Sequence, residues 1–134
     1  MNCPKPLPLA RVTCLALLCA ACHSTTTPTA GDLVIELSTP NIDDRGVQLN
    51  VQCPQPPISV TAAAGYVVYS DVGGSPVAVI VIRKGGQSIP SHADLATIRV
   101  ADVNEMCTAT PTSVAFQGYA VRTSLAGYSA SVKP

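Results

Sequence analysis

The sequence predicts an all-β domain, built as a small two-sheet β-sandwich, with a small closed β-barrel as the alternative. Three observations lead there. From Asp32 onward the chain is short apolar segments dominated by β-branched residues and punctuated by Pro and Gly. Almost none of it sustains a 3.6-residue period. Turn signals return about every ten residues, which gives roughly seven or eight strands in a domain of about 100 residues.

The first strand is predicted over residues 33–38. The clearest one covers 47–53, where Val47, Leu49, Val51 and Cys53 point one way and Gln48, Asn50 and Gln52 the other. Cys53 is thereby placed on the core face, and Pro54, Pro56 and Pro57 stop the strand. Further strands are predicted over 58–61, 66–71 and 77–83. Gly73-Gly74-Ser75-Pro76 joins the last two as a hairpin whose glycines supply positive φ. Residues 77–82 are apolar at every position, which predicts a central strand covered on both sides. Lys84-Gly85-Gly86-Gln87 turns the chain again. The 92–106 stretch reads two ways: Thr97-Ile98-Arg99-Val100 alternates as a strand over about 96–101, while Ser91-His92-Ala93-Asp94 carries the start signal of a short helix. The last two strands are predicted over 114–122 and 125–132. Such a strand set suits a sandwich of immunoglobulin-like or transthyretin-like type.

The N-terminus is built differently. Lys5 and Arg11 precede an apolar run from Val12 to Ala21, followed by Cys22 and a polar stretch. Cations ahead of about ten apolar residues have the layout of a secretory signal peptide, and the run is too short for a bilayer span, which needs roughly 20. Leu18-Cys19-Ala20-Ala21-Cys22 resembles the lipobox of bacterial lipoproteins, with Cys19 where that family usually has Leu. The resemblance covers residues 1–22; it names no family for the domain behind them. It implies removal of residues 1–21 and acylation of Cys22, palmitate included, as the new N-terminus. With His23 rather than Asp next, it implies an outer-membrane anchor and a domain facing the periplasm. Ordinary cleavage that leaves Cys22 a free thiol is the alternative. Residues 22–31 then read as the lipidated end and a flexible tether, and 32–134 as a single β domain. About nine tether residues give a reach of roughly 15 to 18 Å.

Subtracting the signal changes two balances. The whole chain has 8 cationic and 8 acidic side chains; loss of Lys5 and Arg11 leaves the exported form slightly acidic, with nothing that courts nucleic acid. Cys3, Cys14 and Cys19 leave as well and Cys22 is acylated, so Cys53 and Cys107 remain. In an oxidising compartment they are most simply a disulfide. The rival reading, a metal pair or reactive thiol, lacks clustered His partners and a Cys-x-x-Cys spacing.

Catalytic signatures are missing. His92 is the only histidine of the domain and reads as an exposed loop residue; an enzyme or ligand carrier using it is the weakest reading. Asp43-Asp44 lies in ordinary turn chemistry, and Gly73-Gly74 and Gly85-Gly86 lack the spacing of phosphate loops. Tyr66 and Tyr69 are candidate interface residues on opposite faces of one strand. The expectation is therefore a non-enzymatic lipoprotein that binds another envelope protein as an accessory or assembly factor of a secretion system or pilus. The alternative is a periplasmic inhibitor or immunity protein against a lysozyme-like or toxic enzyme, although the Ser-Gly and Trp-Lys-Gly signatures of one such inhibitor family are lacking. No metal, cofactor or small-molecule substrate is expected.

Overall fold

The computed structural model describes residues 26–134. Eight strands run β1 Gly31–Ser38, β2 Asp44–Gln52, β3 Ser59–Ala62, β4 Tyr66–Ser70, β5 Val77–Arg83, β6 His92–Val100, β7 Thr108–Phe116 and β8 Ser129–Lys133. They form two antiparallel four-stranded sheets, ordered β3-β6-β1-β8 and β4-β5-β2-β7. The sheets pack face to face as a sandwich, and the barrel alternative falls away because neither sheet closes. Only β4 and β5 are joined within one sheet; every other connection crosses between sheets.

Alternation makes the core. Leu33, Ile35 and Leu37 of β1, Val47, Leu49 and Val51 of β2, and Val77, Val79 and Val81 of β5 all face inward and are buried. Ile98 and Val100 of β6 and Val114 of β7 complete the layer. Each large aliphatic side chain removed from water contributes about 1.5–3 kcal/mol before chain entropy is counted. In β6 both Leu95 and Ala96 are buried, because a bulge against Ile35 and Glu36 places an extra residue there.

Several sequence expectations change. Within the 92–106 stretch His92–Val100 is a strand, so His92 opens β6 rather than lying in a loop, and His92-Ala93-Asp94 of the expected helix start are extended. The strand expected over 114–122 lies instead at Thr108–Phe116. Pro111 is accommodated because β7 is an edge strand with a register shift opposite Gln48 and Leu49, where a missing N–H is tolerated. β8 is confined to Ser129–Lys133. Finally, β5 is an interior strand as expected but is covered on one side only, and Ile80 remains 40% exposed on the other. In the turns, Gly85 and Gly86 have positive φ, whereas Gly73 and Gly74 do not.

The pairing register defines two poles. Gly31 pairs with Val100 at the pole where β1 begins, which also carries the 101–107 loop. The opposite pole carries the 39–43 and 84–91 connections and the 117–128 segment. The fold reaches back beyond β1: Val103 donates its backbone N–H to the carbonyl of Thr29 at 2.9 Å. The Thr29 N–H in turn reaches the Asp102 carboxylate at 3.3 Å. A Cβ on Gly31 would lie 2.4 Å from the Val103 side chain. Gly31→Val is therefore expected to lift the 101–107 loop off β1 and lower stability by about 1–3 kcal/mol, as overpacking does. An unchanged urea midpoint would show that the loop is not held there.

Candidate functional site

Two features stand apart from ordinary sandwich packing. The first is a polar network at the pole away from Gly31. Asp44, at the start of β2, has no exposed surface. Its carboxylate accepts from the Thr39 hydroxyl, from the Tyr128 hydroxyl at 2.8 Å and from Arg122 Nε at 2.6 Å. The second Arg122 edge reaches Asp43. Asn41 donates to the Tyr128 hydroxyl at 2.6 Å, and the Arg122 guanidinium lies 4.7 Å over the Phe116 ring. Residues from the β1–β2 connection are thus tied to the segment between β7 and β8. Burial, reinforced by the neighbouring Asp44 carboxylate, pushes the Tyr128 phenol above its usual range. Burial works against the Arg122 charge, but its bonds to Asp44 and Asp43 more than offset this and raise its pKa.

An open cleft of about 390 Å³ lies beside this network, lined by Asn41, Arg122, Ser124 and Tyr128 among others. Its charged groups already bond one another. Among the described residues no group of three His, Cys, Asp or Glu side chains is placed to hold a metal ion.

The second feature is a contrast between the two outer faces. On the β3-β6-β1-β8 sheet the outward positions are mostly polar, including Ser59, Thr61, Thr97 and Ser131 around the half-buried Val34, with Arg99 paired to Asp32 at 3.1 Å and Lys133 paired to Glu36. The Lys133 ammonium holds the Glu36 carboxyl below its ordinary value. On the other sheet, Val67 and Tyr69 of β4 stand against Ile82 and Ile80 of β5. Ala115 of β7 lies across Gly46 of β2. Tyr69 is 60% exposed and Tyr119, from the turn after β7, 68%. Gly46 contributes no side chain at the centre of the row, which leaves a depression of about 150 Å³ bounded by Ile80, Ile82, Ala115 and Tyr119 and, on its polar side, by Gln48 and Ser113. Toward the other pole the same face turns polar through Asn50, Gln52, Thr108 and Thr110.

The sequence-marked residues fall as follows. Cys53 and Cys107 form a disulfide, with Cα atoms 4.3 Å apart, at the Gly31 pole. Tyr66 faces inward and is buried, with the Arg83 guanidinium 4.7 Å over its ring, whereas Tyr69 faces outward on the apolar sheet face. His92 is exposed. Cys22 and the lipobox lie outside the described residues. Sequence reasoning passed over Asp44, Arg122 and Tyr128; only the adjacency of two acids hinted at them. Ile80, Ile82 and Tyr119 were visible as apolar residues, but their exposure was not.

Fold and site together define a small disulfide-bonded β-sandwich with one polar and one apolar outer face. No protein-family model, curated protein or solved structure matches the chain.

Proposed function

We propose that this chain is a non-enzymatic lipoprotein of the bacterial outer membrane that binds another envelope protein through the apolar face of the β4-β5-β2-β7 sheet. The observation that carries the reading is the contrast of faces. Isolated exposed apolar residues are ordinary, but a contiguous patch with a central depression and a polar surround is the surface of a binding partner. Tyr69 and Tyr119 supply the rigid aromatic area that such interfaces favour.

The anchor at Cys22 fits this placement. Because Thr29 is bound to Val103, only residues 23–28 separate Cys22 from the fold, a chain that spans at most roughly 25 Å. The Gly31 pole with its disulfide then faces the headgroups, and the Ile82, Ala115 and Tyr119 end of the patch points away from them. Several acyl chains on one residue make such anchoring effectively permanent.

A photo-reactive residue at position 80, introduced into the membrane-anchored protein, is expected to give an adduct with one discrete envelope protein, while the same residue at position 97 on the polar face gives none. The Cys22→Ala form is expected in the soluble fraction. Equal adduct patterns at the two positions, or membrane retention of Cys22→Ala, would remove the binding face or the anchor respectively.

A further inference from the structure

The two sheets have four edge strands, β3, β8, β4 and β7. Proteins blunt such edges with charge, proline, bulges, shortness or covering chain, and three of these four are blunted. β7 carries Pro111 and a register shift, and its far end is covered by residues 120–122 through the Ala115–Val121 bridge and the bond from Arg122 N–H to the Val114 carbonyl. β8 has Lys133 in ion pairs with Glu36 and Asp94. β3 is only four residues long and follows Pro56 and Pro57. β4, with the sequence Tyr-Val-Val-Tyr-Ser, has no charge, no proline and no bulge. Its residue types are the ones that most favour strands.

We propose that β4 is an assembly edge that pairs antiparallel with β4 of a second copy of this chain, about a two-fold axis at Val68. The ladder itself fixes the register. Lys84 N–H donates to the Gly65 carbonyl at 2.9 Å, so Gly65 belongs to the hydrogen-bonded set facing β5. Alternation assigns Val67 and Tyr69 to that set as well and turns the backbone groups of Val68 and Ser70 off the sheet. A two-fold axis at Val68 sets Val68 against its own copy, with its N–H and carbonyl exchanged between chains, and sets Ser70 against Tyr66. The Ser70 N–H then finds the Tyr66 carbonyl of the other chain. On the outer face Val67 stands opposite Tyr69, an apolar cross-strand pair.

Charge supports the same register. One step beyond the strand, Asp71 comes opposite Gly65 of the second copy. The Arg83 guanidinium lies over Gly65, with Nη1 only 2.6 Å from where a Cβ would sit. Arg83 bonds Gln87 and stacks on Tyr66 but pairs with no carboxylate among the described residues. The pairing therefore brings an exposed acid to an unpaired cation, twice by symmetry, and joins two four-stranded sheets into one of eight strands with a continuous apolar outer face. The inference stands independently of the partner proposed above.

Positions 67 and 69 form a non-hydrogen-bonded pair across the axis, close enough for a disulfide. In the whole chain, Val67→Cys/Tyr69→Cys is expected to oxidise to an adduct of twice the monomer mass that reductant reverses, while the parent chain gives none. Adding Ser70→Pro removes a donor that faces off the sheet and is expected to lower the yield about tenfold. Asp71→Lys, which touches no ladder bond, is expected to lower it several-fold and serves as the deciding variant if circular dichroism shows Ser70→Pro to be unfolded. The absence of a dimer-mass adduct, or a yield that neither substitution changes, would overturn the proposal.

Discussion

Replacing Asp44 by Ala is expected to lower stability by about 3 kcal/mol, within the range for breaking a buried ion pair, and to lower the melting temperature by roughly 12 °C for a domain of this size. The carboxylate is fully buried and accepts from Thr39, Tyr128 and Arg122. Its removal orphans three donors on two segments at once. Arg122 retains Asp43, which keeps the loss below the upper end of the range. Arg122→Met is expected to be nearly as damaging, because it leaves the buried carboxylate without its cation, whereas Lys133→Ala on the polar face should barely move the melt because exposed pairs are screened by water and salt. The network also sets an alkaline limit. The Tyr128 pKa is raised in the folded state, so its contribution is complete below the unfolded phenol value of about 10 and is lost as pH rises through the folded value. Thermal melts of the three variants at neutral pH, and of the unaltered chain from pH 8 upward, check both statements. An Asp44→Ala melt within a degree or two of the parent would mean that the network forms without holding the loop.

The core was legible because it follows the period-two rule. Val47, Leu49, Val51 and Cys53 alternate in the sequence and lie inward in the structure. Asp44 was not legible, for the same physical reason. The register shifts between Asp44 and Gly46, so that Arg45 is an extra residue and Asp44 turns into the interior instead of staying in phase with the turn. A bulge leaves no mark in hydrophobic alternation, and a buried acid looks like a loop acid until its cation, 78 residues away in sequence, is placed beside it. The first part of β7, before Val114, escaped notice because its Thr-rich, Pro-containing sequence suits only an edge strand, and strand order is a property of the assembled sheet. The apolar face was misread in an instructive way: an apolar run on both faces of β5 implies cover, yet within this chain the cover is lacking on one side.

Removing the disulfide with Cys53→Ala/Cys107→Ala is expected to lower stability by about 4 kcal/mol, the chain-entropy value for a loop of this length. The sequence separation is 54 residues, and the closed loop contains β3, β4, β5 and β6. Native contacts offset little of this loss, because the bridge joins the end of β2 to the start of β7, where Gln52 already pairs with Thr108 and the ladder holds the chains together. The bridge therefore acts mainly on the unfolded chain, by removing conformations that the folded state never visits. That assignment has a kinetic consequence. The β2–β7 pairing is a long-range contact whose closure entropy must be met before any ladder bond rewards it. With the bridge absent, the loss should appear chiefly as slower refolding, and the unfolding rate should change little. Urea chevrons of the double alanine variant and of the oxidised parent separate the cases. If the destabilisation appeared instead as faster unfolding, the bridge would be acting on the native ladder, and the closed loop would not be its source of stability.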